Sequence, residues 1–249
     1  MIRRVIIWTT VLKDFLISFR GSRFAKYYSI EETISYARDE RKSIIRFGDG
    51  EFNFINGKGI SYQQYDKNLQ SELSYILNHY LLNCRKSDYL LCMPAQFLRC
   101  SGLKLIRKRV YVSSWSFSRK VFIKNYDKNI CYGDAFVFSS GNENIYSKLW
   151  DNVNNVIFVH NDIKFSNNFE KKYNKTTFFV KVPKANSYGE KEKILKTIEE
   201  VANNIDRGDL IILVSAGPCG KILVNELTSK GLWAIDTGHC WDSPLQNIK

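Results

Sequence analysis

Proline is scarce in this chain, with four in 249 residues and no two near each other. Nor is there any Pro/Gly/Ser-rich linker, repeat or low-complexity tract, so no internal boundary is drawn beyond an amino-terminal segment, 1–28, and a domain, 29–249. No C-x-x-C pair occurs among Cys84, Cys92, Cys100, Cys131, Cys219 and Cys240, which argues against a zinc knuckle or a thioredoxin-type motif. These cysteines read as free and mostly buried thiols. Neither a Walker A loop nor a G-x-G-x-x-G fingerprint is present. The longest uncharged stretch near the start, Val5 to Leu12, is 8 residues, far short of the ~20 that a spanning helix needs. No small-residue cleavage site follows it, so the chain is expected in the cytoplasm.

What is there describes a globular protein. Hydrophobic residues make up 44% and charged residues 25%, which excludes wholesale disorder, a collagen-like repeat and a polytopic membrane protein. A chain of 249 residues buries roughly 70–75% of its unfolded surface and needs no disulfide staples. Its 37 basic and 25 acidic residues give a net charge of +12, which attracts polyanions such as nucleic acid, anionic lipid and phosphorylated ligands.

The first 28 residues place Val5, Trp8, Leu12, Phe15 and Phe19 at helical spacing, with Arg3, Arg4, Lys13, Arg20 and Arg23 nearby. That pattern fits a basic amphipathic helix lying on an anionic membrane at the inner face of the cell. It also fits an ordinary helix packed on the core, the commoner setting for such a pattern.

Further along, helix and strand alternate. Ser29 to Arg41 reads as a helix opened by a Ser29/Glu32 capping box. Ser43 to Phe47 is a short apolar strand, followed by a Leu-rich helix over Asp66–Asn83. Strands follow at Tyr89–Met93, Val156–His160 and Thr176–Val182, and an amphipathic helix spans Glu190–Asn204. The run Leu210–Val214, turn, helix to Lys230, then Trp233–Ile235 is strand, helix, strand with strands apolar on both faces. The chain is therefore expected to be a single α/β, Rossmann-like domain with a mostly parallel sheet flanked by helices. Ligands of such sheets lie beyond the carboxyl ends of the strands.

Three loops occupy such places. In Arg46-Phe47-Gly48-Asp49-Gly50-Glu51 two carboxylates stand at i and i+2, which an extended backbone would point to one side. Hard oxygen donors of this kind suit Mg2+ or Mn2+ shared with a diphosphate, and Arg46 would balance phosphate charge. Gly48 and Gly50 would let the backbone turn and a ligand approach, although Gly-Asp-Gly is also ordinary turn chemistry. Ser215 to Lys221, with Gly217 and Pro218, opens a helix whose free N–H groups would suit phosphate; a plain tight turn reads the same way. Asp236-Thr237-Gly238-His239-Cys240-Trp241-Asp242 follows the last strand. His239 and His160 stand at strand ends, whereas His79 sits within a helix and reads as a bystander.

The stretch IIRFGDGEFNFI, the Leu-rich helix after Tyr65 and the carboxyl-terminal LIILVSAGPCGKILVNELTSKGLWAIDTGHCWD together resemble the bacterial glycosyltransferases of the GT-D fold. That family was first catalogued as a domain of unknown function. Its Asp-x-Glu motif is matched by Asp49-Gly50-Glu51, its Gly-Pro turn by Gly217-Pro218, and its Ile-Asp-x-Gly-His pattern by Ile235 to His239. The resemblance runs from Ile30 to Asp242 and is loosest between Cys100 and Trp150. It implies a hexosyltransferase that uses a nucleotide sugar, commonly a UDP-sugar, with Mn2+ or Mg2+ on Asp49 and Glu51. Arg46, Gly48, Gly50, Ser215, Gly217, Pro218 and Lys221 would then bind the donor. Asp236, His239 and Asp242 are the candidates for general base, and the acceptor would be a surface glycan, a glycoprotein or a lipid-linked sugar.

Two other functions fit parts of the sequence. A nucleic-acid-binding protein would explain the charge, but the basic residues look scattered and no recognised motif occurs, so no nucleic-acid partner is expected. Another metal-dependent phosphate enzyme, such as a phosphohydrolase, would also use an Asp-x-Glu pair.

Overall fold

Strands that are apolar on both faces need cover on both faces, and the fold supplies it with a helix between nearly every pair. The computed structural model describes residues 2–107 and 110–242. Its strands are β1 (Lys26–Tyr27), β2 (Ser43–Arg46), β3 (Tyr89–Met93), β4 (Cys131–Asp134), β5 (Asn155–His160), β6 (Thr176–Lys181), β7 (Leu210–Val214) and β8 (Ala234–Asp236). They form one eight-stranded sheet in the order β1-β4-β3-β2-β8-β7-β5-β6. Every pairing is parallel. The expected α/β architecture is thus present, with β7 and β8 side by side and β2 on the far side of β8. All strands run the same way, so their carboxyl ends share one rim.

Local signals explain most elements. The Ile30–Asp39 helix begins with Ser29 and Glu32 in a reciprocal capping box, which satisfies two otherwise orphaned N–H groups. Asp66 caps the Lys67–Asn83 helix, which buries Leu69, Leu73, Ile76, Leu77 and Tyr80. The Lys191–Ala202 helix buries Ile194, Leu195 and Ile198. Most of the apolar core is one cluster around the sheet.

A second, smaller cluster stands apart. Phe15, Phe97, Leu105, Trp115 and Phe136 pack together, with Phe97 and Trp115 stacked at 4.3 Å. It joins the amino-terminal helix, Ile2–Ile17, to the Val110–Asn125 helix. The amino-terminal helix therefore packs on the protein through Asp14 and Phe15, and the turn after it through Ser18, while Trp8, Leu12 and Leu16 stay exposed. The expected contributions of Arg3, Arg4 and Val5 concern side chains outside the described residues. All six cysteines are free, with Cys92, Cys219 and Cys240 buried and the other three half-buried. No helix among the described residues is long and apolar enough to cross a membrane.

Candidate active site

The rim holds a cleft of about 740 Å3, within the ~300–1,000 Å3 usual for a small-molecule site. The loops after β2 through β8 all reach it, and the three motif-bearing loops meet there: Asp49 and Glu51, Ser215 and Gly217, and Gly238, His239 and Asp242.

The Asp-x-Glu segment differs from its expected form. Asp49 to Ile55 is a helix, not an extended loop. Residues two apart on a helix point roughly 200° apart, so Asp49 and Glu51 do not project side by side. Glu51 turns inward, where its Oε2 accepts the Gly48 N–H at 2.7 Å. Its Oε1 lies 3.3 Å from Lys221 Nζ. Asp49 stays at the mouth, its Oδ1 accepting the Gly50 N–H at 3.0 Å. Burial first, and the neighbouring Glu51 charge second, hold the Asp49 carboxyl above its ordinary value. Gly48 and Gly50 have ordinary backbone angles; left-handed ones fall instead at Gly217 and Gly238.

A charge cluster forms the cleft floor: Arg46, Glu51 and Lys221 line it, with Asp236 buried behind them. Lys221 Nζ sits 3.1 Å from Asp236 Oδ2 and donates to the Gly217 carbonyl at 3.2 Å. Arg46 donates from Nε to the Asp236 carbonyl at 2.8 Å and from Nη1 to the Ala135 carbonyl at 3.0 Å. Its own backbone N–H reaches Asp236 Oδ2 at 3.2 Å. Burial alone would push the Lys221 ammonium down; Asp236 and Glu51 outweigh that and hold it above its ordinary value. Gly238 is required beside this cluster, since its φ is +53° and a Cβ there would fall 2.1 Å from Arg46 Nη2. Gly217, at φ +57°, would likewise meet the Tyr62 ring.

These contacts sort the sequence-derived residues. Asp236 is fully buried and does not line the cleft, so it cannot take a proton from a hydroxyl there. Its role is to anchor Lys221 and Arg46. Pro218 also stays off the cleft wall, buried in the first turn of the Gly217–Ser229 helix. His239 and Asp242 remain accessible. The His239 side chain is 50% exposed, with Nδ1 3.5 Å from Asp242 Oδ1. On the other side of Asp242, His160 Nε2 stands 3.9 Å from Oδ2. His160 Nδ1 accepts the Asp162 N–H at 3.1 Å, which assigns its proton to Nε2. Burial, the dominant influence, lowers the His160 pKa against the pull of Asp242. Trp241, wedged against Trp150, Phe158 and Phe169, fixes this loop. His79 lies away from the cleft, between Tyr75 and Tyr89.

Sequence reasoning missed one wall entirely. Tyr62 stands edge-on to His239 at 5.8 Å, and Phe97, Tyr111 and Trp115 line the cleft with Asn53 and Ser114. No motif marks them; only the dense run of aromatics and serines over 110–118 signals a surface that is both packed and polar. Among the described residues no group of three or more His, Cys, Asp or Glu converges into a protein-only metal cage.

Comparison with known proteins agrees with the fold. A family model described as "Glycosyltransferase GT-D fold" matches residues 44–243. The "Probable glycosyl transferase Gly" of Streptococcus gordonii is 26% identical over 234 residues, covering 85% of this chain and 31% of that protein. "Glycosyltransferase GlyD" of Streptococcus pneumoniae serotype 4 is 26% identical over 247 residues, covering 88% and 27%. The chain thus spans about a third or less of the length of these relatives. A solved structure described as "The highly conserved domain of unknown function 1792 has a distinct glycosyltransferase fold" superposes with a TM-score of 0.73 at 24% identity, covering 95% of this chain and 88% of that one. Another, "A New Glycosyltransferase (DUF1792) from Streptococcus sanguinis", gives a TM-score of 0.68 at 25% identity, covering 88% and 83%.

Proposed function

Because the chain belongs to the GT-D-fold glycosyltransferase family, we propose that its cleft transfers a sugar from a nucleotide sugar, a UDP-sugar by family resemblance, to a glycan hydroxyl. The observation that carries this reading is the meeting of all three motif-bearing loops at one rim of a parallel sheet, where such folds bind nucleotides.

The donor diphosphate would lie between Asp49 and the first turn of the Gly217–Ser229 helix, whose free N–H groups favour anions. Ser215 lines the same wall, its hydroxyl paired with Thr237 Oγ1 at 2.9 Å. The donor set fits a hard divalent cation by its charge: Asp49 stands at the mouth with Glu51 turned inward behind it, and the Asp49 carboxyl is raised in part by the Glu51 charge, a repulsion that a cation relieves. Asp49 and Glu51 would hold Mn2+ or Mg2+, which when bound stabilises the charge developing on the leaving diphosphate. Glu51 would be shared with Lys221, whose ammonium holds it in place.

For an inverting reaction the acceptor hydroxyl must lose a proton. His239 would take it on Nε2, with Asp242 holding the ring through Nδ1 and balancing the imidazolium. His160 backs Asp242 from the buried side. The aromatic wall of Tyr111 and Trp115, with Asn53 and Ser114, offers ring faces and amide and hydroxyl groups to an acceptor sugar.

The test is a panel of nucleotide sugars incubated with Mn2+, with nucleotide release measured with and without an acceptor. Acceptor-dependent release, abolished by Asp49→Ala, is expected. Equal release without acceptor marks a phosphohydrolase and contradicts the reading.

A further inference from the structure

The positive charge of this chain is concentrated in two stretches that looked scattered along the sequence. Residues 1–30 hold six Lys or Arg and a single acid, Asp14; residues 89–126 hold eight and no acid. Together they carry +13, while the other 181 residues, with 23 basic and 24 acidic side chains, carry −1. Fifty-eight residues separate the two stretches, and the fold brings them together. Gly102 N donates to the Phe19 carbonyl at 2.7 Å, and Ser22 N to the Leu98 carbonyl at 2.9 Å. The one acid is buried and paired with Lys120, so neither stretch presents an exposed carboxylate.

Exposed apolar side chains gather in the same lobe. Among the described residues twelve large hydrophobics are exposed, and seven belong to these stretches. Trp8, Leu12 and Leu16, 64%, 57% and 61% exposed, recur every four residues and so share one face of the amino-terminal helix. Ile17 and Phe24 follow them. Leu103 and Ile106 project from the Gly102–Ile106 helix, whose Leu105 buries in the same cluster as Phe15. Lys13, Arg20, Arg23, Lys104 and Arg107 are exposed among them.

We propose that this lobe docks the protein peripherally on an anionic lipid bilayer. Charge of one sign interleaved with projecting Trp, Leu and Ile is the complement of an interface with anionic headgroups outside and acyl chains beneath. Nucleic acid would reward the charge but offers nothing to Leu12, Leu16, Leu103 and Ile106. Docking also sets the reaction cleft near the lipid surface. The amino-terminal helix borders a groove, through Thr10 and Asp14, that joins the cleft at Asn53 and Ser114. The inference stands on this surface alone and does not depend on the transfer reaction.

Flotation of the full chain with vesicles tests it. Phosphatidylglycerol-containing vesicles should carry the protein at low salt, and pure phosphatidylcholine vesicles should carry at least tenfold less. Lys104→Gln with Arg107→Gln should lower recovery by at least tenfold, since each basic residue near an anionic surface counts for roughly fivefold in partitioning. Leu12→Gln with Leu16→Gln should do the same with an unchanged melting temperature, while Leu82→Gln, an exposed site elsewhere, should bind like the parent. Equal recovery on both vesicle types, or binding that neither double variant weakens, overturns the proposal. So does a dimer in solution that the Leu12/Leu16 variant dissociates without any vesicle binding, which would assign the face to a second copy. Displacement from vesicles by duplex DNA, with the Leu12/Leu16 variant binding normally, would make it a polyelectrolyte surface and equally overturn it.

Discussion

Arg46 and Arg119 are both buried guanidiniums, and the chain stabilises them in opposite ways. Arg46 lies in the cleft floor, in a cluster of two cations and two carboxylates with Lys221, Glu51 and Asp236. Arg119 lies in the small aromatic lobe among the backbone carbonyls of Phe97, Cys100 at 2.9 Å and Ser18 at 2.7 Å, with the Cys100 thiol at 3.3 Å and no carboxylate partner among the described residues. Burial lowers its pKa, partly offset by the Cys100 side chain. A carbonyl cage ties three chain segments together and asks for no counter-charge. The ion cluster couples four side chains, so a change in one disturbs the others and the floor of the site. The comparison predicts that damage at the cluster spreads to function, whereas damage in the cage stays with stability.

Lys221→Met should have the largest effect. It leaves Glu51 and Asp236 buried without their ammonium, which costs about 3–5 kcal/mol, and it should abolish sugar transfer. Denaturant unfolding and donor turnover measure the two losses. Adding Asp236→Asn should restore part of the stability but none of the transfer; full recovery of turnover would break the link between cluster and site. Arg119→Met should cost about 2–3 kcal/mol, the scale of hydrogen bonds to a charged group, with turnover per folded molecule unchanged. A selective fall in kcat would undo the contrast.

His239→Ala should lower transfer by ~10²–10⁴, the usual worth of a general base, and shift stability by only ~0.5 kcal/mol, as at most surface positions. His79→Ala, between two tyrosines outside the cleft, should leave kcat at the parental level. A separate effect concerns pH and bears on stability alone. Burial raises the Asp134 pKa from 3.8 to about 6, against the Phe136 N–H that it accepts. A raised carboxyl favours folding below pH 4 and loses that advantage as pH rises through 6. Relative to Asp134→Asn, the parent should therefore lose stability between pH 4 and pH 6.5, by at most about 3 kcal/mol. Parallel pH–stability curves would remove Asp134 from the account.

The same contrast marks what could be read from sequence. Around the cluster the signals were local and strong: β7 and β8 are apolar on both faces and Gly217-Pro218 marks the turn that opens a helix, while the left-handed turn at Gly238 went unread in favour of Gly48 and Gly50. The meeting of three loops followed from parallel strands alone. The orientation of Asp49 and Glu51 was misjudged because Gly48 to Glu51 begins a helix, and Glu51 at its third position caps Gly48 N–H. Asp236 looked reactive at a strand end, yet only the packed structure reveals the Lys221 and Arg46 partners that bury it. In the lobe, the Val110–Asn125 helix interleaves Ser113, Ser114, Ser116 and Ser118 with aromatics, which blurs its period. β1 and β4, two and four residues long, carry no alternation to detect. The lobe's charge excess was countable from the sequence, but that its two halves meet was not.

The Asp49 carboxylate and the Gly217–Ser229 helix would share one nucleotide site. Titration calorimetry of UDP into the full chain, with and without Mn2+, tests this directly, using the parent and Asp49→Asn. Binding to the parent should depend on Mn2+ and be lost in the variant, with an unchanged melting temperature. Equal binding to both proteins, indifferent to Mn2+, would contradict it.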